Sequence, residues 1–423
     1  VTIDQTIDYA VTLGMHGRLR DAEEILRRIV STDPANARAY ANFAVALQMQ
    51  DKFDEALDAV RRSLALRAES PPTHLTHAKV LMRLARPVEA AAACRAALRG
   101  TPDDAEAHGM LGRALLQSGD YKHGWIEYEW RWKCASFEAD RGPISKPRWT
   151  GGRIAGQKIL LHHEQGFGDT IQFIRYAPLL AERGAAVFVQ SPPELADLIR
   201  RMPSVASVNP PVALAETIDC HLPLMSLPLA CNTTLKTIPA NVPYLAPDAK
   251  QIDAWRARVL NDGPARLRVG ISWAGSALHN EDRFRTMRLE QFAPMARAAG
   301  DGVVFYSLQK CDADQQAAHP PAGMRLIDCG PKIFDFSDAA ALIANLDLVI
   351  TVDTAVAHLA GAMGRPVWVM LPFAPDFRWL LDREDSPWYP TMRLLRQQRL
   401  RDWSGPVHIA GERLHDLASR GVR

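Results

Sequence analysis

Over the first third of the chain, small and apolar residues recur at a fixed step of 34 positions. Alanine stands at Ala22, Ala56 and Ala90, and leucine at Leu13, Leu47, Leu81 and Leu115. The series Ala10, Ala44, Ala78, Gly112 and the series Pro34, Ala68, Pro102 keep the same step. Four columns in one register mark an array of equivalent units rather than a single irregular core. Within a unit, two blocks of apolar residues fall at helical spacing, for example Tyr40, Phe43, Ala44 and Leu47, then Phe53, Ala56, Leu57 and Val60. Small residues in the repeated columns let two antiparallel helices approach closely, and the proline ends the second helix. One such unit cannot bury its own apolar face, whereas a stack can.

The period and the small-residue columns resemble the tetratricopeptide repeat over residues 3–104. A fourth unit begins at Ala105 and runs into the aromatic segment GWIEYEWRW (Gly124–Trp132). Such a stack offers a docking surface for a peptide or protein; a rigid spacer or a dimer contact is the plainer reading of the same pattern.

Beyond Trp132 the helical period stops. RGPISKPRWTGGRIAG is rich in Gly, Pro and basic residues, as linkers are. Short apolar runs then alternate with amphipathic stretches, the pattern of βαβ units and a mostly parallel sheet. The first group has KILLHH (Lys158–His163), a helix over Thr170–Arg183, AAVFVQ (Ala185–Gln190), a helix near Pro193–Arg201, and weaker strands near Val205 and Asp219. The second has RVGISWAG (Arg268–Gly275), VVFYSLQ (Val303–Gln309), MRLID (Met324–Asp328), LVITVD (Leu348–Asp353) and PVWVML (Pro366–Leu371). The expected architecture is an all-α solenoid followed by two Rossmann-like α/β lobes with parallel sheets. The boundaries are 1–133 for the repeats, 134–152 for a linker, 153–250 for the N-terminal lobe and 251–423 for the C-terminal lobe.

Composition narrows the class. Fifty Lys and Arg against 48 Asp and Glu leave a formal net charge of +2, too little to imply a nucleic acid or an anionic membrane as partner. No apolar run approaches the length of a membrane span. The start, VTIDQTIDYA, has neither the basic nor the hydrophobic segment of a secretory signal, and it lacks an initiator Met, so a short upstream piece is expected. The six cysteines are scattered with no Cys-x-x-Cys, as expected of reduced thiols in a cytoplasmic protein.

In parallel α/β sheets ligands bind outside the carboxyl ends of the strands, so the residues after each strand carry the chemistry. KILLHH leads into EQGFGDT, where Gly166 and Gly168 permit a tight turn and close approach of backbone to ligand. Asp169 stands where it can cap the following helix or take a proton from a hydroxyl in a cleft, and spacing leaves both open. Ile171 occupies the place of the third glycine in a dinucleotide fingerprint, and no P-loop is present, which disfavours a dehydrogenase or a P-loop enzyme. LVITVD leads into TAVAHLAGAMG: Asp353 or Thr354 caps a helix whose first turn bears the small Ala355 and Ala357, open to a phosphate. His358 lies one turn beyond Thr354, either as a core histidine or as a ligand group. RVGISWAG is followed by Arg283, Arg285 and Arg288, suited to a pyrophosphate or to a solvated loop. Gln309 and Lys310 end another strand. Asp312 and Asp314 form a lone Asp-x-Asp, read as the opening of a helix, and no metal is assigned.

The set EQGFGDT, SWAG…RFRT, SLQK, DTAVAHLAGAMGRPVWVMLP and DREDSPWYP resembles bacterial repeat-containing glycosyltransferases of the heptosyltransferase type. The order of repeats then lobes is also similar to the protein O-linked N-acetylglucosamine transferases. The resemblance implies a two-lobed GT-B fold, a nucleotide-diphosphate sugar as donor with no cofactor, and inverting transfer without an essential metal. It implies Asp169 as general base, a cleft loop of Gly166, Phe167 and Gly168, and a donor site of Trp273, Arg285, Gln309, Lys310, Asp353, Thr354, Ala355 and His358. Ala355 stands where that family often has glycine. The Gln309–Lys310 pair differs in spacing from its counterpart, and Pro387–Pro390 fits the family without a derivable role. The expected acceptor is a protein or peptide recognised through the repeats. The alternatives are an interaction scaffold with a degenerate catalytic domain and an enzyme acting on lipopolysaccharide.

Overall fold

The computed structural model describes residues 1–137, 144–279 and 281–420. Part of the expected linker (138–143), Asn280 and the side chains of Ser136 and Asp312 lie outside the described residues; Asp312 and Asp314 open a 3₁₀ helix (Asp312–Ala318), as the Asp-x-Asp reading expects. The chain divides into two compact units. One is Val1–Arg141 with Asp376–Leu381; the other is Gly142–Pro375 with Asp382–Arg423.

The first unit is built from helix pairs: α1 (Ile3–Met15) and α2 (Leu19–Thr32), α3 (Ala37–Met49) and α4 (Phe53–Leu66), α5 (Pro71–Arg83) and α6 (Pro87–Gly100), α7 (Ala105–Gln117) and α8 (Tyr121–Tyr128). The alanine and leucine columns are its buried contacts, whereas Pro34, Ala68 and Pro102 lie exposed after the second helix of each pair. Ala10, Ala44 and Ala78 are fully buried, as are Ala56 and Ala90, with Ala22 at 1% exposure. The step continues into the fourth pair as glycines at both helix crossings. A Cβ on Gly112 would lie 2.6 Å from the Tyr128 amide nitrogen, and one on Gly124 would lie 2.8 Å from the Leu116 side chain. Helix starts follow from local chemistry: Asn36 accepts from Ala39 N, Asp104 from Glu106 N and Ala107 N, and Pro71 and Pro87 occupy first-turn positions. The segment Asp376–Leu381, which the sequence assigns to the second lobe, groups with the repeats. Its Phe377 ring meets Trp125 edge-on at 5.7 Å and lies 5.7 Å from Tyr128.

The second unit holds two parallel sheets. The first consists of β1 (Lys158–His162), β2 (Ala186–Gln190), β3 (Ser207–Val208) and β4 (Cys220–Pro223), in the order β3-β2-β1-β4. The second consists of β5 (Leu267–Ser272), β6 (Val303–Ser307), β7 (Leu326–Asp328), β8 (Leu348–Val352), β9 (Val367–Leu371) and β10 (Met392–Arg396), in the order β10-β9-β8-β5-β6-β7. All described strand pairs within them are parallel. Strand order reverses between β1 and β4 and again between β8 and β5, and a crevice opens beside such a reversal. The expected helix over Thr170–Arg183 instead starts earlier and is broken: a helix at Phe167–Phe173, a 3₁₀ turn at Ile174–Tyr176 and a helix at Ala177–Glu182, with Pro178 in the first turn of the last piece. Strand β10 and the closing helix Ser404–Arg420 were not among the elements read from the sequence. The second lobe's core gathers Val269, Ile271, Phe305 and Ile350 from the sheet with Phe292, Met295 and Leu414 from the helices. Among the described residues no helix is long and apolar enough to cross a membrane.

Candidate active site

The ends of β1 and β8 meet within the second unit. The Phe167–Phe173 helix, entered from β1, packs on the Ala355–Ala362 helix, entered from β8. Gly168 makes the contact possible: a Cβ there would sit 2.9 Å from His358 Cδ2 and 3.6 Å from Ala355 Cα. A second contact between the lobes joins the Phe167 and Phe336 rings, 5.2 Å apart.

Gly166 and not Asp169 is the N-cap of the first of these helices. Asp169 sits three residues on, and its Oδ2 accepts the Gly166 N–H at 2.9 Å. The capping reading of Asp169 is therefore corrected in position, since the side chain closes the turn from inside the helix. Asp169 is half-buried, while Gly166 and Phe167 are exposed, so the turn stands at the surface.

Thr354 is the N-cap of the Ala355–Ala362 helix, with extended backbone at φ −140° and ψ 174°. Its hydroxyl pairs with that of Thr351 at 3.2 Å, so the side chain does not cap its own helix, and Thr354, Ala355 and Val356 are half-exposed. Of the first-turn amides, Ala357 N donates to the Thr354 carbonyl at 3.0 Å; a helix start attracts an anion through its remaining N–H groups and its dipole. Asp353 is 8% exposed, and its carbonyl accepts from Arg285 Nη1 at 2.9 Å. Arg285 also pairs with Asp282 at 3.2 Å, and Asp282 accepts from the Thr286 hydroxyl at 2.7 Å. A Cβ on Gly275 would collide with Asp282 Oδ1 at 2.3 Å and Arg285 Nη2 at 2.7 Å, so glycine is required for this arginine to reach β8. Arg283 and Arg288 are exposed.

Three residues expected to touch a donor have other work here. Trp273 is fully buried in the core of its lobe, because its indole follows β5 inward. Gln309 is 1% exposed, and its carboxamide is committed to the backbone. Its Oε1 accepts from Trp273 N at 2.9 Å and Ala274 N at 3.0 Å, and its Nε2 donates to Ala274 O at 3.0 Å and Lys310 O at 2.6 Å. Lys310 Nζ donates to the carbonyls of Gly330 and Ile333, both at 2.9 Å. Trp273 and Gln309 thus shape the loop after β5 from inside, through packing and hydrogen bonds, while the exposed Lys310 ties down the loop after β7.

Other groups at the strand ends escaped the sequence reading. Glu164 is fully buried and accepts from Met225 N at 2.9 Å. His162 lies 3.1 Å from His221, and its burial, with His221 as the next cause, pulls its pKa down to about 4. Buried Arg175, Trp388 and Tyr389, with the half-buried Tyr244, form a group behind His358, whose Nδ1 lies 3.0 Å from the Tyr389 hydroxyl. The Pro-Trp-Tyr-Pro string was the signal for half of this group. Among the described residues no three His, Cys, Asp or Glu cluster as a metal site would, and no two cysteines are joined by a disulfide.

In the first unit, Arg38, Asn42, Arg67, Ser70, Thr73 and Thr76 line a groove between α3, α4 and α5. Arg38 is held in it by Asp4 at 2.9 Å and by Asp8.

Stacked helix pairs followed by two parallel-sheet lobes that meet at strand ends define a repeat protein carrying a two-lobed α/β unit. Residues 287–370 match the model of glycosyltransferase family 9 (heptosyltransferase), and residues 15–80 and 75–122 match tetratricopeptide repeat models. The chain thus carries tetratricopeptide-repeat segments and, further on, a segment that matches glycosyltransferase family 9. The matched segment holds Gln309, Lys310, Asp353, Thr354, Ala355 and His358, while Asp169, Trp273 and Arg285 lie outside it. Protein FlbA of Caulobacter vibrioides (strain ATCC 19089 / CIP 103742 / CB 15) is 26% identical over 428 residues, covering 95% of this chain and 71% of that protein. Among solved structures, the glycosyl transferase family 9 from Veillonella parvula DSM 2008 aligns with a TM-score of 0.46 and 12% identity, covering 64% of this chain and 98% of that one. YrrB, a TPR protein with an unusual peptide-binding site, aligns with a TM-score of 0.29 and 21% identity over 32% of this chain and 70% of that one.

Proposed function

We propose that the α/β unit moves a sugar from a nucleotide-diphosphate sugar to a hydroxyl of a protein acceptor, with inversion and without an essential metal. The observation that supports this most is the contact of the Gly166–Asp169 turn with the start of the Ala355–Ala362 helix, through Gly168 against His358 and Ala355. It brings the turn that carries a carboxylate against the start of a helix, the pairing of base and anion site that a displacement at an anomeric carbon needs.

In this reading the acceptor oxygen attacks the anomeric carbon from the face opposite the diphosphate. The new C–O bond forms as the bond to the diphosphate breaks, and the hydroxyl proton passes to Asp169. The Gly166 N–H holds that carboxylate in orientation. The leaving nucleoside diphosphate takes the electron pair, and its charge is met by the amides after Thr354 and by Arg285, which is anchored on the Asp353 carbonyl. Holding both substrates in one crevice supplies much of the acceleration.

The repeats supply the argument for a protein acceptor, since a groove with Asn42, Thr73 and Thr76 along it offers hydrogen bonds to an extended peptide. The cytoplasm, where nucleotide sugars are made, is the compartment this reading implies.

The test has two arms. A panel of nucleotide-diphosphate sugars is screened by thermal shift on the full chain, where a ligand at a hundred times its Kd stabilises by about 2.7 kcal/mol. Asp169→Asn is then compared with wild type, with acceptors identified by mass spectrometry of cells with and without the protein. Donor stabilisation retained in Asp169→Asn with turnover lost supports the mechanism. No stabilisation by any donor rejects transfer in favour of a scaffold, and full turnover in Asp169→Asn removes Asp169 as base.

A further inference from the structure

His358 is 5% exposed, and its two ring nitrogens face different surroundings. Nδ1 lies 3.0 Å from the Tyr389 hydroxyl. The opposite edge, Cδ2 and Nε2, is turned to the glycine turn of the other lobe, 2.9 Å and 3.5 Å from the position a Cβ would take on Gly168. Which nitrogen carries the proton decides whether that edge is a hydrogen-bond donor or an acceptor.

The group behind Tyr389 bears on that choice. Tyr389 is fully buried, and the Arg175 guanidinium stands 4.3 Å from its ring centroid. Arg175 is itself 3% exposed and donates to the carbonyls of Trp388 (2.5 Å), Gln172 (2.7 Å) and Pro239 (3.3 Å) and to the Tyr244 hydroxyl (3.0 Å). The Tyr244 hydroxyl gives its proton to the Ile171 carbonyl at 2.9 Å. A phenol oxygen that already receives a guanidinium N–H is a weaker acceptor than an imidazole lone pair. The Tyr389 proton therefore finds its best partner at His358 Nδ1. Burial also keeps Tyr389 a phenol, its pKa held well above the ordinary tyrosine value.

We infer that Tyr389 is a positioning residue for sugar transfer: its O–H donates to His358 Nδ1, fixing the neutral imidazole with Nε2–H on the edge that meets the Gly168 turn, the side on which the proposed diphosphate binds. Arg175 and Tyr244 hold Tyr389 in place and, through Ile171 and Gln172, bind it to the same helix that carries Asp169. One group thus sets the base-bearing turn and the histidine together. The inference rests on the donor reading proposed above.

Two measurements on the full chain test it. The first needs no substrate: nitrogen-15 spectra of histidine-labelled protein, with the His358 signals assigned by their loss in His358→Gln, report the tautomer. Wild type is expected to show His358 protonated on Nε2, and Tyr389→Phe is expected to lose that preference. An Nδ1-protonated ring in wild type, or an unchanged ring in Tyr389→Phe, overturns the assignment. The second is a double-mutant cycle on turnover of a nucleotide-diphosphate sugar. Tyr389→Phe is expected to lower kcat/KM about tenfold in wild type and to have no further effect in His358→Ala. Equal losses in both backgrounds show that Tyr389 does not act through His358 and refute the proposal. If no donor binds wild type, the transfer reading fails by itself, and with it the role of Nε2–H toward a diphosphate; the spectra then still decide the Tyr389–His358 hydrogen bond.

Discussion

Gly168→Ala isolates the contact on which the site is built. The residue lies in the first turn of the Phe167–Phe173 helix, where alanine is compatible with the backbone, so the substitution tests space rather than strain. The added methyl would stand 2.9 Å from His358 Cδ2, against an ordinary Cβ contact of 3.4–4 Å. His358 has little room to retreat, being 5% exposed and held at Nδ1 by Tyr389. The imidazole or the turn must therefore shift by about 0.5 Å or more, and since a misplacement of about 1 Å can cost a hundredfold, kcat/KM should fall about tenfold. That loss corresponds to about 1.4 kcal/mol of transition-state stabilisation. Overpacking costs about 1–3 kcal/mol, partly offset by up to about 1 kcal/mol of helix propensity, so Tm should drop by only a few degrees. The assay is steady-state transfer from the donor selected by thermal shift. Gly152→Ala is the control, since nothing lies within 4 Å of a Cβ there. A Gly168→Ala enzyme with kcat/KM within twofold of wild type would refute the reasoning.

Two glycines on α7 should respond with opposite sign. Gly109→Ala meets nothing within 4 Å and should stabilise by up to about 1 kcal/mol, whereas Gly112→Ala meets the Tyr128 backbone at 2.6 Å and should destabilise by about 1–2 kcal/mol net; far-UV melting of the full chain compares them. Gln309→Ala leaves the buried Trp273 and Ala274 amides without their acceptor and should cost about 2–4 kcal/mol, read as a lower urea midpoint. His162, depressed to about 4, binds its proton less readily folded than unfolded, so its contribution is complete above pH 6.5 and is lost as pH falls from there toward 4. The loss amounts to about 3 kcal/mol, and His162→Asn should flatten the dependence of stability on pH across that window.

The repeats were legible because the small-residue columns of the 34-residue step are helix crossings, where only a small residue fits. Ala44 and Ala56 show this with full burial, and Gly112 with a helix backbone pressed against it. The strands were legible as apolar runs because parallel strands are buried on both faces, as β8 is along its whole length. Chemistry at strand ends was only partly legible. Gln309 and Lys310 sit where a ligand residue would, but a polar side chain after a strand can turn equally well to its own backbone, and only coordinates decide. Asp376–Leu381 gave no local sign of joining the repeats, since its partners Trp125 and Tyr128 are some 250 residues away in sequence. The group of Arg175, Tyr244 and Tyr389 was hidden for the same reason. A lone arginine in a helix reads as solvated until the aromatic rings that enclose it are brought from elsewhere in the chain.

The central claim is that a sugar-nucleotide diphosphate binds at the start of the Ala355–Ala362 helix, within reach of the Asp169 turn. A crystal structure of the full chain with the nucleoside diphosphate chosen by thermal shift tests it most directly. The account predicts phosphate oxygens within hydrogen-bond distance of the amides that follow Thr354, with Arg285 and His358 Nε2 beside them. A diphosphate bound elsewhere on the protein, with those amides still facing solvent, would contradict it.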